Sequence, residues 1–125
     1  MTCTPNKTIL LAENDRPGCE VTALVLEAEG YRVITTGNGT RALQLLQNDA
    51  TVDLLLSDIR MPGGIDGIEL ARRVQMIRQI RIVLMSADPF SSFASFPDYV
   101  TFLAKPYDRR TLLAAVNGLQ WPAAA

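Results

Sequence analysis

One carboxylate stands out by its setting. In Asp53-Leu54-Leu55-Leu56-Ser57-Asp58-Ile59-Arg60-Met61-Pro62-Gly63 an apolar run delivers Asp58 to the mouth of a Pro-Gly loop. A nearly continuous hydrophobic run reads as a strand buried on both faces, the pattern of a parallel sheet between helix layers. Asp58 then falls at the carboxyl end of a strand, the edge where open α/β sheets bind their ligands. Three other apolar runs end in reactive groups: Glu13-Asn14-Asp15, Ser86-Ala87 and Lys105-Pro106. On a parallel sheet these tips share one edge, so an acidic cluster, a hydroxyl and an ammonium surround Asp58. That constellation suits phosphoryl transfer. A carboxylate can form an acyl phosphate, and magnesium, held by one or two carboxylates with phosphate oxygens and water, offsets its repulsion of the incoming group. Ser86 can hydrogen-bond one phosphoryl oxygen and Lys105 can neutralise another.

Each member also has a simpler reading. Asp58 can be a turn aspartate before Pro62, and Glu13 to Asp15 can cap the following helix, since acids favour helix N-termini. Ser86 alone says little. Lys105 says more, because an ammonium closing the run Phe102-Leu103-Ala104 is costly beside a core unless a negative partner waits there. The combination carries more weight than any one residue.

The elements that must position these groups alternate along the chain. Residues 9–13, 32–35, 52–58, 80–86 and 99–105 read as five strands rich in Val, Ile and Leu. Val21, Leu24, Val25 and Ala28 follow the i, i+3, i+4, i+7 spacing of a helix face, closed by Gly30 at a C-terminal cap. Ala42, Leu45 and Leu46 mark a second helix. Leu70, Ala71, Val74 and Ile77 mark a third, with Arg72, Arg73, Gln75 and Arg78 left for solvent. Leu112, Ala115, Val116 and Leu119 mark the last, entered through Asp108 as N-cap. The segment after the fourth strand, bounded by Pro89 and Pro97, has room for two turns of helix at most. This alternation predicts a doubly wound, three-layer α/β sandwich with right-handed crossovers and a short or irregular fourth helix.

Composition narrows the function classes. The chain has 125 residues, 48% of them hydrophobic, and is expected to form a single domain with its core in residues 8–120. Its net charge of -1 and lack of a basic stripe argue against direct nucleic-acid binding. No stretch approaches the roughly 20 apolar residues of a membrane span, and the start has no signal-peptide pattern, so a cytoplasmic location is expected. With no histidine, and with Cys3 and Cys19 at no metal-ligand spacing, a zinc site and a Ser-His or Cys-His catalytic pair are excluded. Both cysteines are expected to be free thiols.

With these residues in place, the chain resembles the receiver domain of two-component response regulators. Ile9-Leu10-Leu11-Ala12-Glu13-Asn14-Asp15 is similar to that family's acidic first-strand motif. Asp58 with Ile59-Arg60-Met61-Pro62-Gly63 matches its phosphoacceptor and loop, Leu84-Met85-Ser86-Ala87 its hydroxyl position, and Phe102-Leu103-Ala104-Lys105-Pro106 its aromatic and lysine positions. The order and separations agree over residues 9–119. The resemblance implies a flavodoxin-like, CheY-like fold with strand order 2-1-3-4-5. It implies a stand-alone phosphoacceptor rather than a conventional enzyme, loaded at Asp58 by a histidine kinase or histidine phosphotransfer protein and acting on a downstream protein target. It also implies Mg2+ held by Glu13, the next acidic position, Asp58 and the backbone carbonyl of Arg60, with Ser86 and Phe102 moving as the switch.

The sequence departs from the family at several points. In the ungapped register Asn14 takes the place of a metal-binding aspartate, while a one-residue shift would bring Asp15 there; the ungapped register preserves the length to Gly30. The loop from Met61 to Gly67 carries one residue more than the common form, and the segment between Ser86 and Lys105 is shorter. Phe90, Phe93 and Phe96, three apart, form either an exposed docking ridge or part of the core. Arg60 and Asp88, each two residues past a site residue, are positions from which side chains influence access of hydrolytic water. The alternative function is a phosphate-independent pseudo-receiver that serves as a protein-binding module. A haloacid-dehalogenase-like phosphatase would need a second acid where Arg60 stands, and a flavin carrier would have its phosphate repelled by Glu13 and Asp15. The last helix permits a homodimer without requiring one.

Overall fold

The computed structural model describes residues 7–93 and 95–118. Five strands form one parallel sheet: β1 (Thr8–Ala12), β2 (Arg32–Thr36), β3 (Val52–Asp58), β4 (Arg81–Ser86) and β5 (Val100–Ala104), in the order β2-β1-β3-β4-β5. The helices are α1 (Arg16–Ala28), α2 (Gly39–Asn48), α3 (Gly67–Ile77) and α4 (Arg109–Asn117). The three-layer sandwich and strand order match the sequence expectation.

The strand alternation explains the layers. Leu10, Leu55 and Leu84 point to the face covered by α2 and α3, where they meet Ala42, Leu46, Leu70 and Val74. Ile9, Leu11, Leu54, Leu56, Val83 and Met85 point to the opposite face, against Leu26 of α1 and Leu112 and Val116 of α4. Both faces of β3 are therefore buried, which is why its sequence is apolar without alternation. Each helix starts on an Asp or Asn whose side chain accepts a backbone N–H: Asp15 from Gly18, Asn38 from Arg41, Asp66 from Glu69 and Asp108 from Thr111.

Three expectations are corrected. On α1, Val21 and Leu24 are 62% and 65% exposed, and the buried face is Cys19, Thr22 and Leu26. The apolar spacing misled because Thr22 is a core residue: its hydroxyl shares a 2.7 Å hydrogen bond with the Tyr107 phenol, so burial leaves no polar group unmet. Ile77 is largely exposed rather than part of the α3 core face. Arg78, expected in solvent, instead donates to the carbonyl oxygens of Asp49, Ala50 and Val52 at 2.8, 3.0 and 2.7 Å, and more weakly to that of Leu46. It pins the turn that leads into β3. Cys19 is a buried free thiol; Cys3 and Leu119 lie outside the described residues.

Among the described residues between β4 and β5, the helical element is a three-residue 3₁₀ turn, Phe90–Ser92. Among the described residues no helix is long and apolar enough to cross a membrane. Replacing Arg78 by alanine should lower stability by about 2 kcal/mol in urea unfolding, and Arg78→Lys should restore less than half, because one ammonium cannot span these carbonyls.

Candidate functional site

The carboxyl ends of β1, β3, β4 and β5 converge as the parallel topology requires. Asp58, the last residue of β3, is 7% exposed. The Lys105 ammonium, just past β5, lies 2.6 Å from Asp58 Oδ1 and 2.8 Å from Glu13 Oε2. The Lys105–Pro106 peptide is cis. Glu13 is buried just past β1, and its Oε1 has no hydrogen-bond partner among the described residues. The Asn14 backbone N–H donates to Asp58 Oδ2 at 3.3 Å. Beneath this edge α3 approaches closely: a Cβ on Gly67 would come within 2.2 Å of the Asp58 carbonyl oxygen, so only glycine fits there.

The electrostatics follow from burial. Burial works against charge on Lys105, but the hydrogen bonds to Asp58 and Glu13 more than offset it and hold the ammonium above the usual lysine range. Burial raises Glu13 above the usual carboxylate value, opposed by its bond to Lys105 and reinforced by the charge of Asp58. One cation thus serves two buried acids.

Asp15 lies at the edge of this cluster, on the groove that Glu13 and Lys105 also line. Its carboxylate accepts the Gly18 N–H at 2.9 Å as the N-cap of α1, so the simpler reading of that residue is the one its geometry fits. Asn14 is exposed in the turn between β1 and α1. Ser86 is buried at the end of β4, and its hydroxyl accepts the Asp88 N–H at 2.9 Å. Asp58, Met85, Ser86, Ala87, Lys105, Arg60 and Asp88 enclose a pocket of about 190 Å³. Arg60 and Asp88 form an ion pair across it.

The residues least visible in the sequence are aromatic. All four phenylalanines of the chain gather in one cluster. Phe102 meets Phe90 and Phe96 edge to face at 5.5 and 5.7 Å and Phe93 at 6.3 Å. Phe93, Phe96 and Phe102 pack on the core beside α3, while Phe90 is 53% exposed. Of the two readings of the spaced phenylalanines, core packing accounts for Phe93 and Phe96. Their three-residue spacing is a signal, but the ring they meet, Phe102, lies on β5, outside the connection that carries them. The longer loop after β3 bends toward α2, where Asn38 Nδ2 donates to the Gly63 carbonyl at 3.0 Å.

Comparison with known proteins agrees with this architecture. The family model for the response regulator receiver domain matches residues 9–117. Response regulator receiver protein CpdR of Brucella abortus is 38% identical over 117 residues, covering 89% of this chain and 94% of that protein. Transcriptional regulatory protein GlrR of Escherichia coli K12 is 33% identical over 113 residues, 86% of this chain and 25% of that protein. This chain thus spans only about a quarter to a half of several curated relatives it matches. The crystal structure of the receiver domain from hybrid histidine kinase CckA superposes with a TM-score of 0.74 at 34% identity, covering 88% of this chain and 95% of that one. The chain belongs to the response regulator receiver domain family of two-component signalling.

Removing the Lys105 ammonium leaves two buried acids facing each other. Lys105→Met should therefore lose about 2–3 kcal/mol near pH 7.5. The sign with pH is set by Glu13: burial already raises its folded carboxyl and the bond to Lys105 opposes that, so without lysine the variant recovers stability as pH falls and Glu13 protonates. Urea unfolding from pH 8 to pH 5 should show the gap to wild type narrowing.

Proposed function

We propose that this domain accepts a phosphoryl group on Asp58 from a phosphohistidine of a histidine kinase or histidine phosphotransfer protein, in the cytoplasm, and signals by contact with a downstream protein. The observation that carries this reading is the Lys105 ammonium held between the buried Asp58 and Glu13 carboxylates, beside a small pocket. An Asp58 oxygen attacks phosphorus as the phosphorus–nitrogen bond to histidine breaks. The imidazole leaves with the bond pair and takes a proton from solvent. Lys105 stays near Asp58 and neutralises a phosphoryl oxygen, while Ser86 contributes its hydroxyl from the opposite wall. Arg60 and Asp88, both lining the pocket, govern the access of water to the acyl phosphate. Ser86 and Phe102 form the switch, each biased by the new charge.

The donor set fits a hard divalent cation. Glu13 has a buried carboxylate oxygen with no partner among the described residues, and Asp58 lies beside the same lysine. Magnesium would be held by Glu13, Asp58, the Arg60 carbonyl and the Asn14 amide, and would offset the charge of the phosphoryl group. Asp15 caps α1 through Oδ2, which leaves its second carboxylate oxygen to join this set. The groove beside the site, lined by Pro17, Val21 and Tyr107, and the exposed Val21 and Leu24 of α1 offer apolar surface to the phosphodonor protein.

Intact mass after incubation with acetyl phosphate tests the reading. A magnesium-dependent adduct of one phosphoryl group should form on the wild type and be absent in Asp58→Asn. Followed in time, the adduct should decay at a different rate in the Arg60→Ala/Asp88→Ala double variant; an identical half-life removes their proposed role. No adduct, together with no magnesium binding, favours the phosphate-independent module. Asn14→Asp should tighten magnesium binding by about tenfold in calorimetric titration, because it adds a charged ligand. An unchanged affinity would place the amide outside the metal site.

A further inference from the structure

Among the described residues of the connection between β4 and β5, the backbone hydrogen bonds within it are Ser92 N–H to Pro89, Phe93 N–H to Phe90 and Val100 N–H to Pro97. Side chains tie the rest of it to the site. Asp88 is gripped twice, its N–H by the Ser86 hydroxyl and its carboxylate by Arg60. The same Arg60 guanidinium lies 5.5 Å from the centroid of the Phe93 ring. Phe93 in turn touches Phe102, which holds Phe90 and Phe96. A single exposed cation therefore joins the rim of the Asp58 pocket to every phenylalanine in the chain.

We infer that Arg60 is the residue through which a phosphoryl group on Asp58 acts on this aromatic cluster: its guanidinium leaves Asp88 and the Phe93 ring for the phosphoryl oxygens, and Phe93 repacks against Phe102. The inference rests on phosphorylation of Asp58 as proposed above.

Three physical points support the exchange. An ion pair as exposed as Arg60–Asp88, with side chains 68% and 43% accessible, contributes little and is easily given up. A phosphoryl group brings close to two negative charges and three acceptor oxygens, which a planar guanidinium can meet in bidentate fashion. Lys105, the other cation of the pocket, is already shared between Asp58 and Glu13 and cannot balance the added charge alone. Departure of the guanidinium strips the ring of its cation–π partner, and the cluster is free to take another packing. This path differs from the Ser86–Phe102 switch, because it enters the cluster at Phe93.

The test uses protein carrying 13C-labelled phenylalanine, with beryllofluoride and magnesium as the phosphoryl analogue, and loading measured in parallel. In the wild type the Phe93 and Phe102 ring signals should shift on loading. At equal loading, Arg60→Gln should reduce the Phe93 shift by about half or more, because the guanidinium whose departure moves the ring is missing, and Arg60→Lys should fall between. A full Phe93 shift in Arg60→Gln overturns the inference. Phe93→Leu, which leaves the pocket residues intact, decides independently: the Phe102 shift should shrink, and an undiminished one also overturns it. A wild type that does not load overturns both this inference and the proposed phosphorylation; loading with an Arg60-independent ring response overturns this one alone.

Discussion

The bridge from Lys105 to Asp58 and Glu13 is the interaction on which the rest of this molecule turns. It joins the ends of β1, β3 and β5 with one ammonium, across 92 residues of sequence in the case of Glu13. Two buried acids at close quarters repel each other and resist burial, and the lysine makes their coexistence tolerable. The arrangement retains a price in stability, visible in the raised Glu13 carboxyl. Such cost is usual where a protein keeps charges ready for a ligand.

Around that bridge the scaffold is closely packed. Asp58 ends a strand buried on both faces, and Gly67 lets the start of α3 close against its backbone. Arg78 secures the turn before β3, and the Thr22–Tyr107 hydrogen bond ties α1 to the segment after Lys105. Between β4 and β5 a short 3₁₀ turn and a cluster of phenylalanine rings replace a helix, so side-chain packing carries what backbone hydrogen bonds carry elsewhere. A segment held in that way answers readily to changes in the side chains that hold it.

The fold was largely legible from residue pattern because its signals are local. Five apolar runs separated by amphipathic stretches lead to a doubly wound sheet almost without alternative, and Asp108 announces its own helix cap. The face of α1 was misread because the period of its apolar residues does not reveal that Thr22 is satisfied inside the core. Arg78 was misread for the same reason in reverse: arginine reads as solvent-facing until carbonyl oxygens from a distant turn are brought to it.

The sequence by itself determined the strands, their parallel arrangement and the residue types at their tips, since those depend on hydrophobic period and on chain direction. Only the tertiary structure decided which charges pair, because pairing depends on distances between segments far apart in the chain. It turned Asp15 to the cap of α1 while Glu13 turned to Lys105. It set Arg60 between Asp88 and Phe93, and gathered phenylalanines from a loop and a strand into one cluster. Side chains of identical type are interchangeable in a pattern, but in a packed interior each has its own set of neighbours within reach.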